Sequence, residues 1–108
     1  MLGAVSVAAA TAVVGYDLAR DTTWQQSSQP RVLRGAALAG SAAALDTKAE
    51  VFRGSVKIGE LYNTATGAPT RDHLFPIGAY IPPNEEVRVL VTDAPGTNPI
   101  NLLMDFEE

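Results

Sequence analysis

The sequence predicts an all-β protein, a small antiparallel β-sandwich of about six or seven short strands behind an N-terminal arm. Two observations carry this. Apolar residues recur with period two through several short runs, which puts each apolar set on one face of a half-buried strand. Gly, Pro, Asn and Asp separate those runs at intervals of about 8 to 15 residues, the rhythm of a sandwich rather than of alternating strands and helices. The expected sandwich domain is residues 31–108, and residues 1–30 are expected to form the arm and a polar linker.

The arm begins with MLGAVSVAAATAVVG, Met1 to Gly15, which is uncharged. It lacks the basic n-region of a secretory signal. It is also shorter than the roughly 20 apolar residues of a membrane span, because Tyr16, Asp17 and Arg20 interrupt it. Val5, Val7, Ala9, Thr11 and Val13 alternate with small residues, so an extended form is favoured over the helix that alanine would also suit. The segment DTTWQQSSQP, Asp21 to Pro30, reads as a surface crossing. Its Trp24 has two readings, an anchor in a neighbour's pocket or a cap on its own core.

From Arg31 the pattern sharpens. Val32, Ala36 and Leu38 share a parity interrupted by Arg34, and Gly35 and Gly40 mark a bend, a bulge or a close backbone approach. In EVFRGSVKI, Glu50 to Ile58, a single strand is expected with Phe52, Val56 and Ile58 inward and Gly54 leaving room for a large residue opposite. Asn63 to Asp72 is a loop by composition, and Ile77 to Ile81 a short strand. Val87, Val89 and Val91 form one apolar face, and Ile100, Leu102, Met104 and Phe106 another, with Pro95-Gly96 and Asn98-Pro99 between them. The stretch IGAYIPPNEEVRVLVTDAPGTNPINLLMDF, Ile77 to Phe106, therefore anchors the fold.

The rest of the core is thin. Seventeen alanines supply much of the remaining apolar content, and each buries far less than the ~1.5–3 kcal/mol worth of a Leu or Val. That predicts stability drawn partly from neighbours in an assembly. The net charge of −4 argues against nucleic acid as a partner. It is unevenly spread: residues 1–57 carry six basic and four acidic side chains, residues 58–108 two and eight. Such asymmetry suits basic surface meeting acidic surface between subunits.

Candidate chemistry is sparse. The chain has no cysteine, which excludes disulfides, thiolate metal sites and cysteine nucleophiles. His73 is the one histidine, too few for a multi-histidine metal site, and Asp72 beside it is poorly placed to orient it in a triad. Glu85 and Glu86, like Glu107 and Glu108, are sequence neighbours, so on a strand they point to opposite faces and make no glycosidase pair. A calcium site from Asp46, Asp93 and Asn98 has suitable oxygens but no spacing motif. No phosphate-binding glycine loop occurs. The expectation is a protein without cofactor, metal or small-molecule substrate, and not an enzyme.

The uncharged arm followed by AEVFRGSVKIG, IPPNEEVRVLVTDAP and INLLMDF resembles the small single jelly-roll proteins of icosahedral viruses: penton, minor capsid or decoration subunits. The resemblance covers Arg31 to Glu108 in pattern. It implies a jelly-roll-like sandwich in a virion, a structural homo-oligomer with no catalytic residues, partnered by its own copies and other shell proteins. Val5, Val7, Val13, Val14 and Trp24 are the expected interface residues of the assembly arm. Whether the arm also touches a membrane is left open. Two other functions compete: a glycan- or receptor-binding module using the Asn63 to Asp72 and Asp93 to Pro99 loops, at a cell surface or outside the cell, and a fibre or pilus subunit that exchanges its N-terminal strand.

Overall fold

The computed structural model describes residues 2–40, 47–63, 74–95 and 99–107. Within them lie seven strands: β1 (Leu2–Val7), β2 (Arg31–Gly40), β3 (Lys48–Arg53), β4 (Val56–Tyr62), β5 (Phe75–Ile81), β6 (Val87–Asp93) and β7 (Ile100–Glu107). They form a four-stranded sheet, β1-β7-β2-β5, and a three-stranded sheet, β4-β3-β6. Every ladder between named strands is antiparallel. The all-β expectation therefore holds.

The alternating runs of the C-terminal third fold as read. Val87, Val89 and Val91 are buried on β6, and Ile100, Leu102, Met104 and Phe106 on β7. The two strands do not form a hairpin, however. They belong to different sheets, and both sets contribute to one core between the layers.

Three local readings are corrected. The run Glu50 to Ile58 is a hairpin, with Arg53 opposite Val56 across a Gly54-Ser55 turn. Gly54 sits at φ 58, the conformation a two-residue hairpin loop asks of its first central residue. Ala49, Val51 and Leu61 are consequently the buried residues, and Val56 is 49% exposed. Gly59, rather than Gly54, faces a side chain of the opposite sheet, where an added Cβ would come 3.3 Å from Ile77. On β2 a register shift between Leu33 and Gly35 changes the phase of alternation. Leu33 and, beyond the bulge, Ala36 and Leu38 join the core while Val32 turns outward.

The third correction concerns the N-terminus. No separate arm is seen. β1 ends at Val7, earlier than the extended run to Val13, and pairs with β7 from Leu2↔Asp105 to Val7↔Ile100. The chain then crosses to the other sheet and runs along β6: Gly15 N–H donates to the Val91 carbonyl at 2.7 Å, Val91 N–H to Tyr16 at 3.0 Å, Leu18 N–H to Val89 at 2.7 Å, and Val87 N–H to Gln25 at 2.9 Å. Asp17 fixes this crossing. Its carboxylate accepts from Val89 N–H (2.9 Å), Ala19 N–H (3.0 Å) and the Gln25 amide (2.8 Å). Ala12, Leu18, Ala19 and Trp24 are buried in the common core. The reason is physical: the outer edge of β6 has backbone groups to satisfy, and this segment supplies both the partners and the apolar cover.

Counting residues 15–18 as a short pairing segment, the ladders nest. β1 pairs with β7, residues 15–18 with β6, β2 with β5, and β3 with β4. Each earlier element meets the matching later one, as in one long hairpin rolled upon itself.

Trp24 closes the core at one end. Its ring lies 6.0 Å from that of Phe106, centroid to centroid, and against Gly3, whose missing side chain gives it space. On the Phe106 ring also lies the buried Arg31 guanidinium, 4.4 Å from the centroid, which donates to the carbonyls of Trp24 (2.5 Å) and Gln25 (3.3 Å). Trp24→Ala should lower the unfolding free energy by about 3–5 kcal/mol, read by chemical denaturation. Deleting residues 1–21 removes β1, Leu18 and the cover of β6, so the truncated chain should lose its cooperative unfolding transition in calorimetry.

Candidate assembly surface

Of the five residues expected at an interface, the structure keeps three inside. Val7 and Trp24 belong to the core, and Val5 packs against it partly buried. Val13 and Val14 are exposed, at 55% and 66%, on the crossing from β1 to β6. The structure thus separates the set into core residues on one parity of β1 and two valines that face solvent.

A sheet edge offers unpaired N–H and C=O groups to any passing strand, and proteins blunt such edges with charge, proline, twist or cover. Three of the four edges here are blunted, each differently. β5 carries Pro76, which has no N–H, and Gly78 at φ 67, outside extended backbone. β6 is covered by residues 15–25.

β4 is the charged edge. Glu50 of β3 lies opposite Glu60 of β4, a like-charge pair that is unfavourable alone. Lys57 of β4 bridges them, bonding Glu50 closely and Glu60 at 2.5 Å, and Lys48 approaches Glu60 at 3.4 Å with its ammonium 5.6 Å from the Tyr62 ring centre. Hydrogen bonds to Glu50 and Glu60 hold the Lys57 ammonium above its ordinary pKa, and the charge of Glu60 does the same for Lys48. The Lys57 hydrogen bond holds the Glu60 carboxyl below its ordinary value.

β1 has none of these devices. Leu2 to Val7, LGAVSV, contains no charge and no proline, and among the described residues its outer edge has no ladder partner. Leu2 (39% exposed), Ala4 and Ser6 present a small, uncharged outer face.

Two shallow depressions lie on the outward side of the four-stranded sheet. One of about 430 Å³ is lined by Arg34, Gly35, Leu74, Pro76 and Asp105, and one of about 300 Å³ by Pro30, Arg31, Val32, Tyr80 and Glu107. Their charged groups are engaged with one another: Arg34 reaches Asp105 at 3.1 Å and Glu107 at 3.7 Å. That contact, foremost its hydrogen bond to Asp105, raises the Arg34 pKa.

His73, Asp46 and Asn98 lie outside the described residues, as do residues 64–72 of one candidate recognition loop and residues 96–98 of the other. Asp93 is exposed at the end of β6. Asn63, the first residue of one of those loops, is a buried tie: its amide donates to the Gly40 carbonyl at 3.0 Å and its Oδ1 accepts from Thr47 N–H at 2.9 Å. Among the described residues no group of three or more His, Asp or Glu side chains could hold a metal ion. No pattern in the sequence marks Asp17, Arg31 and Asn63, whose polar side chains act through hydrogen bonds to backbone and leave no periodic signal.

No protein-family model, curated protein or solved structure matches this chain.

The charged edge yields a pH prediction. A carboxyl held below its ordinary pKa of about 4.3 stabilises the fold above that value and ceases to do so as pH falls through the depressed one. Ammonium groups held above theirs stabilise at lower pH and stop as pH rises through the raised value. Lys57→Gln leaves Glu50 and Glu60 opposed. Its denaturation midpoint should fall below wild type at neutral pH and low salt. The gap should narrow in high salt and close in acid below the carboxylate range.

Proposed function

We propose that this chain is a non-catalytic structural subunit that assembles with copies of itself and with other shell proteins, as a minor capsid, penton or decoration protein of a virion does. The observation that carries the reading is the nested pairing. With residues 15–18 counted as the second of eight elements, the two sheets run 1-8-3-6 and 2-7-4-5, the strand order of a jelly roll. That architecture serves viral capsids, and also lectins and cupins, so fold alone does not choose among them. The edge of β1, uncharged and without a ladder partner among the described residues, and the two exposed valines beyond it favour assembly.

A second reading, a glycan-binding module, draws on Tyr80. It is 57% exposed beside the smaller depression, where an aromatic face could stack on a sugar ring. Strand exchange in a fibre is less favoured, since β1 already completes its own sheet and withdrawing it would uncover β7.

Electron microscopy of the purified protein, with light scattering across a concentration series, tests the proposal. Closed oligomers or shell-like particles are expected, and filaments would instead point to the fibre reading. A monomer at every concentration, together with hits on a glycan array, would transfer the function to recognition.

A further inference from the structure

We infer that two copies of this chain join edge to edge through β1, antiparallel about a two-fold axis, so that one eight-stranded sheet runs across the dimer. The inference rests on the assembly reading above and names the contact it uses. It follows from comparing the sheet edges. A strand added to β1 must come from an edge that is itself open. β5 is interrupted by Pro76 and by Gly78 at φ 67, β6 is occupied by residues 15–25, and β4 carries Lys57 and Glu60, whose charges would have to leave their partners. Among the described residues, the remaining edge that this chain can offer to β1 is β1 of another copy.

Such a contact is isologous and closes as a dimer, since the same surface is used on both sides. Charge supports it as well. The chain carries a net charge of −4, which opposes self-association generally, but none of that charge lies on Leu2 to Val7. Strand geometry then limits the register. Opposed residues must face the same side of the sheet, so the axis passes either at Ala4, pairing Leu2 with Ser6, or at Val5, pairing Ala4 with Ser6. Both registers set only small or apolar side chains against each other. Val13 and Val14 are exposed on the crossing that leaves the end of β1 for β6.

Because Ala4 and Ser6 point to solvent, Ala4→Lys with Ser6→Lys leaves the core untouched while charging the edge. Light scattering on the intact chain should find a dimer whose dissociation constant rises about tenfold or more in the double variant, with unchanged circular dichroism. The chain has no cysteine of its own, so cross-linking reads the register. Ala4→Cys alone, or an equimolar mixture of Ala4→Cys and Ser6→Cys, should give a disulfide-linked dimer on mild oxidation. Ser55→Cys, on the β3–β4 turn, should not. A wild-type oligomer that the lysines leave intact, or the absence of both cross-links, would overturn the edge contact while leaving assembly standing. A wild-type monomer at all concentrations with no particles in the microscope would remove both.

Discussion

The fold depends on a single crossing. After β1 the chain leaves the four-stranded sheet, bonds to the outer edge of β6 from Gly15 to Gln25, and then returns to begin β2. Asp17 holds the near end of that excursion through three accepted N–H groups. Arg31 holds the far end, its guanidinium lying on Phe106 while it donates to the carbonyls of Trp24 and Gln25. Between these pins the segment delivers Leu18, Ala19 and Trp24 to the core. Hydrogen bonds to charged groups contribute about 1.5–3 kcal/mol each, so the two side chains matter well beyond their own contact area. They secure the segment that seals the β6 edge of the second sheet.

This also explains what the sequence disclosed and what it hid. β6 and β7 were legible because three valines on one and four large apolar residues on the other keep strict parity with no interruption. β2 was half legible: the bulge after Leu33 shifts phase, and parity counted straight through Arg34 places Val32 on the wrong side. In Glu50 to Ile58 the alternation continues across a turn, so a hairpin looks like one strand, and the glycine at its tip looks like an interior residue. Residues 21–30 read as a linker because their attachments are polar: Asn84 N–H donates to the Ser27 carbonyl and the Gln26 amide to the Asn84 carbonyl. Polar ties of that kind have no hydrophobic period.

The candidate surface was legible only in outline. Val13 and Val14 look no different in the sequence from Val5 and Val7, yet the first pair is exposed and the second faces inward. What separates them is the end of β1 at Val7, where the chain turns away from β7. Which edge is open is likewise a property of topology. LGAVSV would be an unremarkable strand in the middle of a sheet, and it is an edge because, among the described residues, its ladder neighbour lies on one side alone. Composition suggested a free arm, whereas residues 2–7 form a strand paired with β7 and residues 12–24 add buried side chains to the core.

The nested ladders carry a kinetic consequence. The outermost pair joins the first strand to the last, so its formation must close almost the whole chain, whereas β3 and β4 meet across a two-residue turn. Non-local pairing of this kind slows folding, because loop-closure entropy is lost before the contacts form. During synthesis β3–β4 can pair early, and β1 waits for β7 to leave the ribosome. Of the seven strands, β1 is thus made well before the partner that secures it, and its edge belongs to the pairing that closes latest.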